Sequence, residues 1–312
     1  MTNRMDLVTV CFADELKLLQ LQARSVRFYV EASSLGHIHL IVNDNNFRQI
    51  KSFIETDVLP EYGAFAGKVS IVNYRSLSSK RFKKPGWRSQ QLLKLMASGL
   101  VDTDQYLVLD CKNHFIRPLG CQTFLRSDGC LRIEFMKPQQ RYLRDFLNAR
   151  TLFDLPSPDL EVLGLPMVTP FPLHTRLVRQ MIKILETRQS KTFAQVFMKG
   201  PRVTEFYLYY AFLEAVHGGI ESFYVHRPRA SFSLMASSVE DPDRAVATTH
   251  KLKAEDVFGF GVHRRVIADA NPDILAAVIS VWQQYGLVNS EEEALSFLEP
   301  VQLEAKRRCW FF

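Results

Sequence analysis

Residues 105–114 read Gln105-Tyr106-Leu107-Val108-Leu109-Asp110-Cys111-Lys112-Asn113-His114. An apolar run ends on a carboxylate, and polar residues follow at once. The run has the length and composition of a buried strand, with Asp110 at its tip. A carboxylate there, beside other polar groups, is suited to hold a metal or a ribose. Three similar runs precede it: Asp6 to Phe12, His37 to Val42, and Gly67 to Val72. Helical spacing fills the intervals. Leu16 to Val30 follows Asp14 as a cap, Phe47 to Ile54 follows the turn-forming Asn43-Asp44-Asn45-Asn46, and Arg88 to Ala97 leads into the fourth strand. Strand and helix alternating in this way predict an α/β fold: a mixed, mostly parallel sheet flanked by helices.

The second half is less regular. Helices are predicted over Gln139 to Leu152, His174 to Arg188, Glu205 to His217, Asp273 to Tyr285 and Ser290 to Leu298. Short strands are predicted over Phe223 to Arg227, Ala230 to Met235 and Val257 to Val266. Between 156 and 172 stand Pro156, Pro158, Pro166, Pro170 and Pro172, which read as an ordered surface excursion and a hinge or lid. No internal repeat appears, and residues 1–312 read as one compact domain.

Composition narrows the function classes. The chain has 312 residues, 47% hydrophobic and 23% charged, which excludes a disordered or fibrous protein. No run is long and apolar enough for a transmembrane helix, and no signal-peptide pattern opens the chain. The five cysteines include no CxxC pair, which points away from a zinc framework and towards a reducing cytoplasm. The net charge of +6 suits an anionic partner.

That charge is concentrated. Residues 75–94 carry Arg75, Lys80, Arg81, Lys83, Lys84, Arg88 and Lys94 and no acid, which leaves the remainder near neutral. The segment leads into Gly86-Trp87-Arg88-Ser89-Gln90-Gln91, where Gly86 would let a backbone approach a ligand and Trp87 can pack on a base or sugar. On a helix Gln90 and Lys94, and Arg88 and Gln91, share a polar flank. There is neither a GxGxxG fingerprint nor a GxxxxGK[ST] loop, so dinucleotide and P-loop readings lose their support. In an open α/β sheet ligands bind beyond the carboxyl ends of the strands, here near Thr9, Phe12, Asp44, Arg75 and Asp110.

The succession MDLVTVCF, GWRSQQLLKL, QYLVLDCKNHFIRPL, TEFYLYYAFL and VFGFGVHRRV resembles bacterial proteins of the DUF6492 type, which look like glycosyltransferases of the GT-A fold. The resemblance runs from about residue 5 to residue 285 and rests on the order and spacing of these motifs. It implies a nucleotide-sugar-binding half over 1–120 and an acceptor-binding half over 121–312. The expected partners are a nucleotide-sugar donor and a glycan or lipid-linked acceptor, as in surface polysaccharide synthesis, with no nucleic acid.

By that resemblance Thr9 and Phe12 flank the nucleobase, with Asp44 or Arg75 nearby, and Arg88, Gln90, Gln91, Lys94, Lys112, Asn113 and His263 face the donor. Asp110 stands where GT-A enzymes place the first carboxylate of a DxD motif, but Lys112 occupies the last Asp position. Two outcomes stay open. Asp110 and His263 hold Mn²⁺ or Mg²⁺ with the donor phosphates, or Lys112 supplies the charge and catalysis is metal-independent. Glu205, at a helix start, is the expected general base, and His114 is expected to orient Asp110. The basic, aromatic end Lys306 to Phe312 suggests peripheral contact with the inner membrane face. Two other readings stay open: a catalytically degenerate GT-A-like nucleotide binder, and a binder of an anionic polymer through 75–94.

Overall fold

The computed structural model describes residues 4–78, 86–254, 256–299 and 301. Lys80, Arg81, Lys83, Lys84 and the 306–312 tail lie outside the described residues.

Among the described residues, ten strands form three sheets: β1 (Met5–Cys11), β2 (Leu35–Val42), β3 (Val69–Asn73), β4 (Gln105–Asp110), β5 (Asn113–Phe115), β6 (Leu131–Ile133), β7 (Phe171–His174), β8 (Tyr224–His226), β9 (Ser231–Leu234) and β10 (Gly259–Val262). The main sheet has the order β3-β2-β1-β4-β7. Its first four strands are parallel, and β7 is antiparallel to β4. The α/β class and the mostly parallel sheet are therefore as the sequence predicts.

Every residue of β1 is buried. A strand covered on both faces needs this continuous apolar run rather than alternation. Val10 pairs with Ile41 on one side and Asp110 on the other, so register alone puts Asp110 beside the end of β1.

Among the described residues, twelve α-helices surround the sheets: α1 (Leu16–Tyr29), α2 (Phe47–Phe53), α3 (Tyr74–Leu77), α4 (Trp87–Met96), α5 (Leu143–Thr151), α6 (Thr175–Gln189), α7 (Phe193–Lys199), α8 (Glu205–His217), α9 (Pro242–His250), α10 (Arg264–Asp269), α11 (Pro272–Gln284) and α12 (Glu291–Leu298). One apolar core joins the main sheet to α1, α4, α6 and α8. A second gathers Val262, Ile274, Val278 and Trp282 around β10 and α11.

Three local expectations are corrected. Asp14 does not cap α1: it lies in a 3-10 turn, Ala13–Glu15, and pairs with Arg264 at 3.3 Å. The strand predicted to Val266 stops at Val262, because His263 Nδ1 accepts from Arg265 N and starts α10. The proline-rich stretch does not stay on the surface: its end, Phe171 to His174, is β7, at the edge of the main sheet. Proline is tolerated at an edge, where its missing N–H costs no ladder bond.

A polar staple fixes the other end of the sheet. Buried Asp6 accepts from His37 N at 2.8 Å, from Asp102 N at 3.2 Å, and lies 3.2 Å from His39 Nε2. Burial alone would raise the Asp6 carboxyl; these bonds outweigh it and hold it below the usual range. A β-carbon on Gly36 would lie 2.1 Å from Asp6 Oδ1. Asp6 cannot swing aside without losing its partners, so Gly36→Ala is expected to destabilise the fold by about 2 kcal/mol in urea denaturation.

Candidate functional site

At the carboxyl ends of β1 and β4 the chain builds a charged cluster around Asp110. Asp110 Oδ1 pairs with Lys94 Nζ at 2.7 Å. Asp110 Oδ2 pairs with Lys112 Nζ and accepts from Thr169 Oγ1 at 2.9 Å. Lys94 also reaches Glu205 Oε1 at 3.1 Å. Lys94 and Glu205 are buried, while Asp110 and Lys112 keep 20% and 11% of their side chains exposed. The cluster thus has a buried floor and a solvent-facing lip. Burial alone would push Asp110 up, but Lys112 and Lys94 outweigh it and hold the carboxyl far below its ordinary value.

Backbone atoms are fixed just as firmly. Asn113 Oδ1 accepts from Asp110 N at 2.8 Å, and Asn113 Nδ2 donates to Thr169 O at 3.3 Å. Gln22 of α1 donates to Asp110 O at 2.7 Å and Asn113 O at 3.1 Å, and accepts from Thr9 Oγ1 at 2.8 Å. Thr9, Gln22 and Asn113 thus have their side-chain polar groups paired, whereas Glu205 Oε2 is buried with no hydrogen-bond partner among the described residues.

His263 joins the lip. Burial, then Lys112, Arg264 and Arg265, push its pKa down to about 4 against the pull of Asp110. It is neutral at pH 7, and because Nδ1 accepts from Arg265 N, the ring proton sits on Nε2.

The structure therefore brings together Lys94, Asp110, Lys112, Asn113, Glu205 and His263. The other expected donor residues are placed differently. Thr9 is 1% exposed and holds Gln22 instead of facing a base. Phe12 is partly exposed, with the Arg264 guanidinium 5.6 Å from its ring centroid. Asp44 shapes its own loop, accepting from Ala13 N and Asn46 N. Arg75 is exposed over Tyr74 and reaches Asn45 at 3.5 Å. Arg88 turns inward to the carbonyls of Phe197, Gly200 and Pro201 at the end of α7. Gln90 donates to Val10 O at 3.3 Å, and Gln91 is buried. Of the described basic residues of 75–94, Arg88 and Lys94 turn inward and Arg75 is exposed.

His114 does not orient Asp110. It points into the second core, edge-on to Trp282 at 5.9 Å, and burial pushes its pKa down to about 3. Successive residues of a strand point to opposite faces, so Asn113 takes the orienting role.

Three site residues carry no motif in the sequence: Gln22, Thr169 and Glu15. Glu15 is the most informative. Burial first, and then Asp110, push its pKa up to about 7, against the opposing pull of Lys112 and Arg264. Its Oε2 is buried and has no hydrogen-bond partner among the described residues.

The Asp110 cluster does not fit a divalent cation. Both carboxylate oxygens already accept from ammonium groups, and an added cation would sit against two positive charges. His263 offers one neutral nitrogen and feels the Lys112 charge, whereas hard cations want about six oxygens. Among the described residues no group of three or more His, Cys, Asp or Glu side chains is placed to hold a metal.

A pH dependence follows from Glu15. Its folded pKa of about 7 lies above the ordinary 4.5, so the folded state binds the extra proton between those values. Stability from this group is full below about pH 4.5 and is lost as pH rises through 7. Glu15→Gln should therefore raise stability at pH 8 by roughly 1–2 kcal/mol, and change it little at pH 4, in thermal melts at the two pH values.

None of the curated protein sequences is similar to this chain. Among solved structures, the galactosyltransferase LgtC in complex with donor and acceptor sugar analogues aligns with a TM-score of 0.49 and 11% identity, over 90% of this chain and 100% of that one. The bifunctional glycosyltransferase WbbM, in its apo form, aligns with the same score and identity over 91% of this chain and 51% of its own. Mouse xyloside xylosyltransferase 1, also apo, gives 0.43 and 12% over 83% and 97%. Residues 6–261 match DUF6492, a family of unknown function, and the chain belongs to that family.

Proposed function

We propose that the chain transfers a sugar from a nucleotide-sugar donor to a glycan or lipid-linked acceptor. The observation that carries this reading is Asp110 at the tip of β4, locked between Lys94 and Lys112 where an open α/β sheet places its ligand. The family resemblance of the motifs supports the same reading.

In this mechanism the positive charge on the leaving diphosphate comes from the protein. Lys112 lies at the lip of the cluster, partly exposed. Its ammonium is the group best placed to neutralise phosphate charge as the glycosidic bond breaks, and neutral His263 offers an Nε2–H beside it. Asp110 fixes the lysine and keeps it from swinging away. Because these charges are preorganised, they need little rearrangement when the charge develops.

Glu205 takes a different part from the expected one. Its side chain is 2% exposed and bound to Lys94, so an acceptor hydroxyl does not reach it. It positions Lys94, which in turn holds Asp110. For proton removal from the acceptor, Glu15 is the better matched carboxylate, since a base works best with a pKa near the working pH. The setting we favour is bacterial surface-polysaccharide synthesis at the cytoplasmic side. Cys11, Cys111, Cys121 and Cys130 are free thiols, and no helix among the described residues is long and apolar enough to cross a membrane.

A panel of UDP-, GDP- and CMP-sugars tests the reading. At least one should raise the melting temperature and be hydrolysed slowly; silence across the panel would remove the proposal. With the active donor, Asp110→Ala and Lys112→Ala should each lower kcat about 100-fold, as loss of a preorganised charge does. Turnover should survive EDTA unchanged. Activity lost to EDTA and restored by Mn²⁺ would overturn the metal-free assignment.

A further inference from the structure

Trp87 opens α4 with 43% of its surface exposed. Tyr142, in the 3-10 turn Gln140–Tyr142, lies nearly parallel to it, with ring centroids 6.1 Å apart and planes 9° apart. Two guanidinium groups flank the pair. Arg202 is 5.2 Å from the Trp87 centroid and Arg141 is 4.5 Å from that of Tyr142. A β-carbon added to Gly86, next to Trp87, would meet no other described residue within 4 Å.

This platform borders the Asp110 cluster. Trp87 and Lys94 stand seven residues apart on one helix, so they share a face about 10 Å apart along its axis. Tyr142 lies within electrostatic reach of Glu205, Asp110 and Lys94. The platform draws Tyr142 and Arg202 from the second half of the chain, whereas the end of β1 and the Arg264 side of the cluster lie towards Phe12.

Its charge is unbalanced. Arg141 and Arg144 are exposed and form no ion pair among the described residues. Arg202 pairs with buried Asp145 at 2.9 Å, which holds that guanidinium beside the indole. An exposed indole backed by a half-buried phenol suits the apolar C–H face of a sugar ring, and exposed guanidinium groups suit an oxyanion.

We propose that the Trp87–Tyr142 platform is the acceptor subsite and takes a sugar ring bearing an anionic group, a carboxylate or a phosphate. The proposal rests on the glycosyltransferase reading and gives the acceptor a chemical class. The sugar ring lies on the aromatic pair, its anion meets Arg141, and the hydroxyl to be glycosylated points along α4 towards Lys112.

Isothermal titration of the full chain with three probes tests it: hexagalacturonate, a phosphorylated oligomannose, and neutral cellohexaose. One acidic probe should bind at least about ten-fold more tightly than the neutral one, and which of the two does so identifies the anion. Trp87→Ala and Arg141→Ser should each weaken that probe by about ten-fold. Arg141 is exposed, so its variant reports even if Trp87→Ala folds poorly. Nucleotide affinity should be unchanged in both. Equal binding of acidic and neutral probes, no binding by any probe, or wild-type affinity in Arg141→Ser would overturn the proposal. So would a loss of nucleotide affinity in a folded Trp87→Ala, which would put the nucleobase on the platform. A silent nucleotide-sugar panel with the acidic probe still bound removes the transferase reading alone; the reverse pattern removes the acidic subsite alone.

Discussion

One half-buried carboxylate ties the molecule together. Asp110 accepts from two lysines and a threonine, and its own peptide group is held by Asn113 and Gln22. These partners come from α1, α4, the residues around β5 and the segment that leads into β7. Lys94, the buried charge of the cluster, is tolerated there only with its carboxylate partners in place. The geometry of the site is therefore also a condition of the fold. Lys94 is in turn shared with Glu205, so α8 is drawn to the same point.

The succession of the four parallel strands along the chain was legible because they are continuous apolar runs with helical spacing between them. Gln105 to Asp110 and Glu205 to His217 match their elements to the residue. Asp110, Lys112 and Asn113 are near neighbours in sequence, so a strand tip brings them together without long-range information. Thr169, Gln22 and Glu15 depend on tertiary packing, and none of them belongs to a spacing pattern. Lys94 and Glu205 were each visible as polar residues on helices, but not as a pair across 111 positions. For a related reason the inward turn of Arg88 was not legible. A count of charges cannot tell an arginine facing solvent from Arg88, whose guanidinium closes the end of α7. Likewise Thr9 looks like a strand-end ligand group until α1 covers it.

The cluster also shows how one position can serve two kinds of electrostatics. A carboxylate at the end of a parallel strand can gather an external cation, or it can order cations already present in the chain. Lys94 and Lys112 commit Asp110 to the second arrangement. Glu15 then feels the same field from the other side, and its pKa is set by burial and by Asp110 together. A change in any one of these charges is felt by the rest, so their ionisations form one coupled system rather than a set of independent groups.

The edge strand β7 has a consequence beyond holding Thr169 near Asp110. A sheet edge is a row of unpaired backbone groups that a second chain can extend. Pro172 sits in the middle of this four-residue edge and has no N–H to offer. Its carbonyl is already taken by the Tyr224 hydroxyl at 2.9 Å. The residue that completes the sheet therefore also ends it, and protects the protein against growth by strand addition on that side.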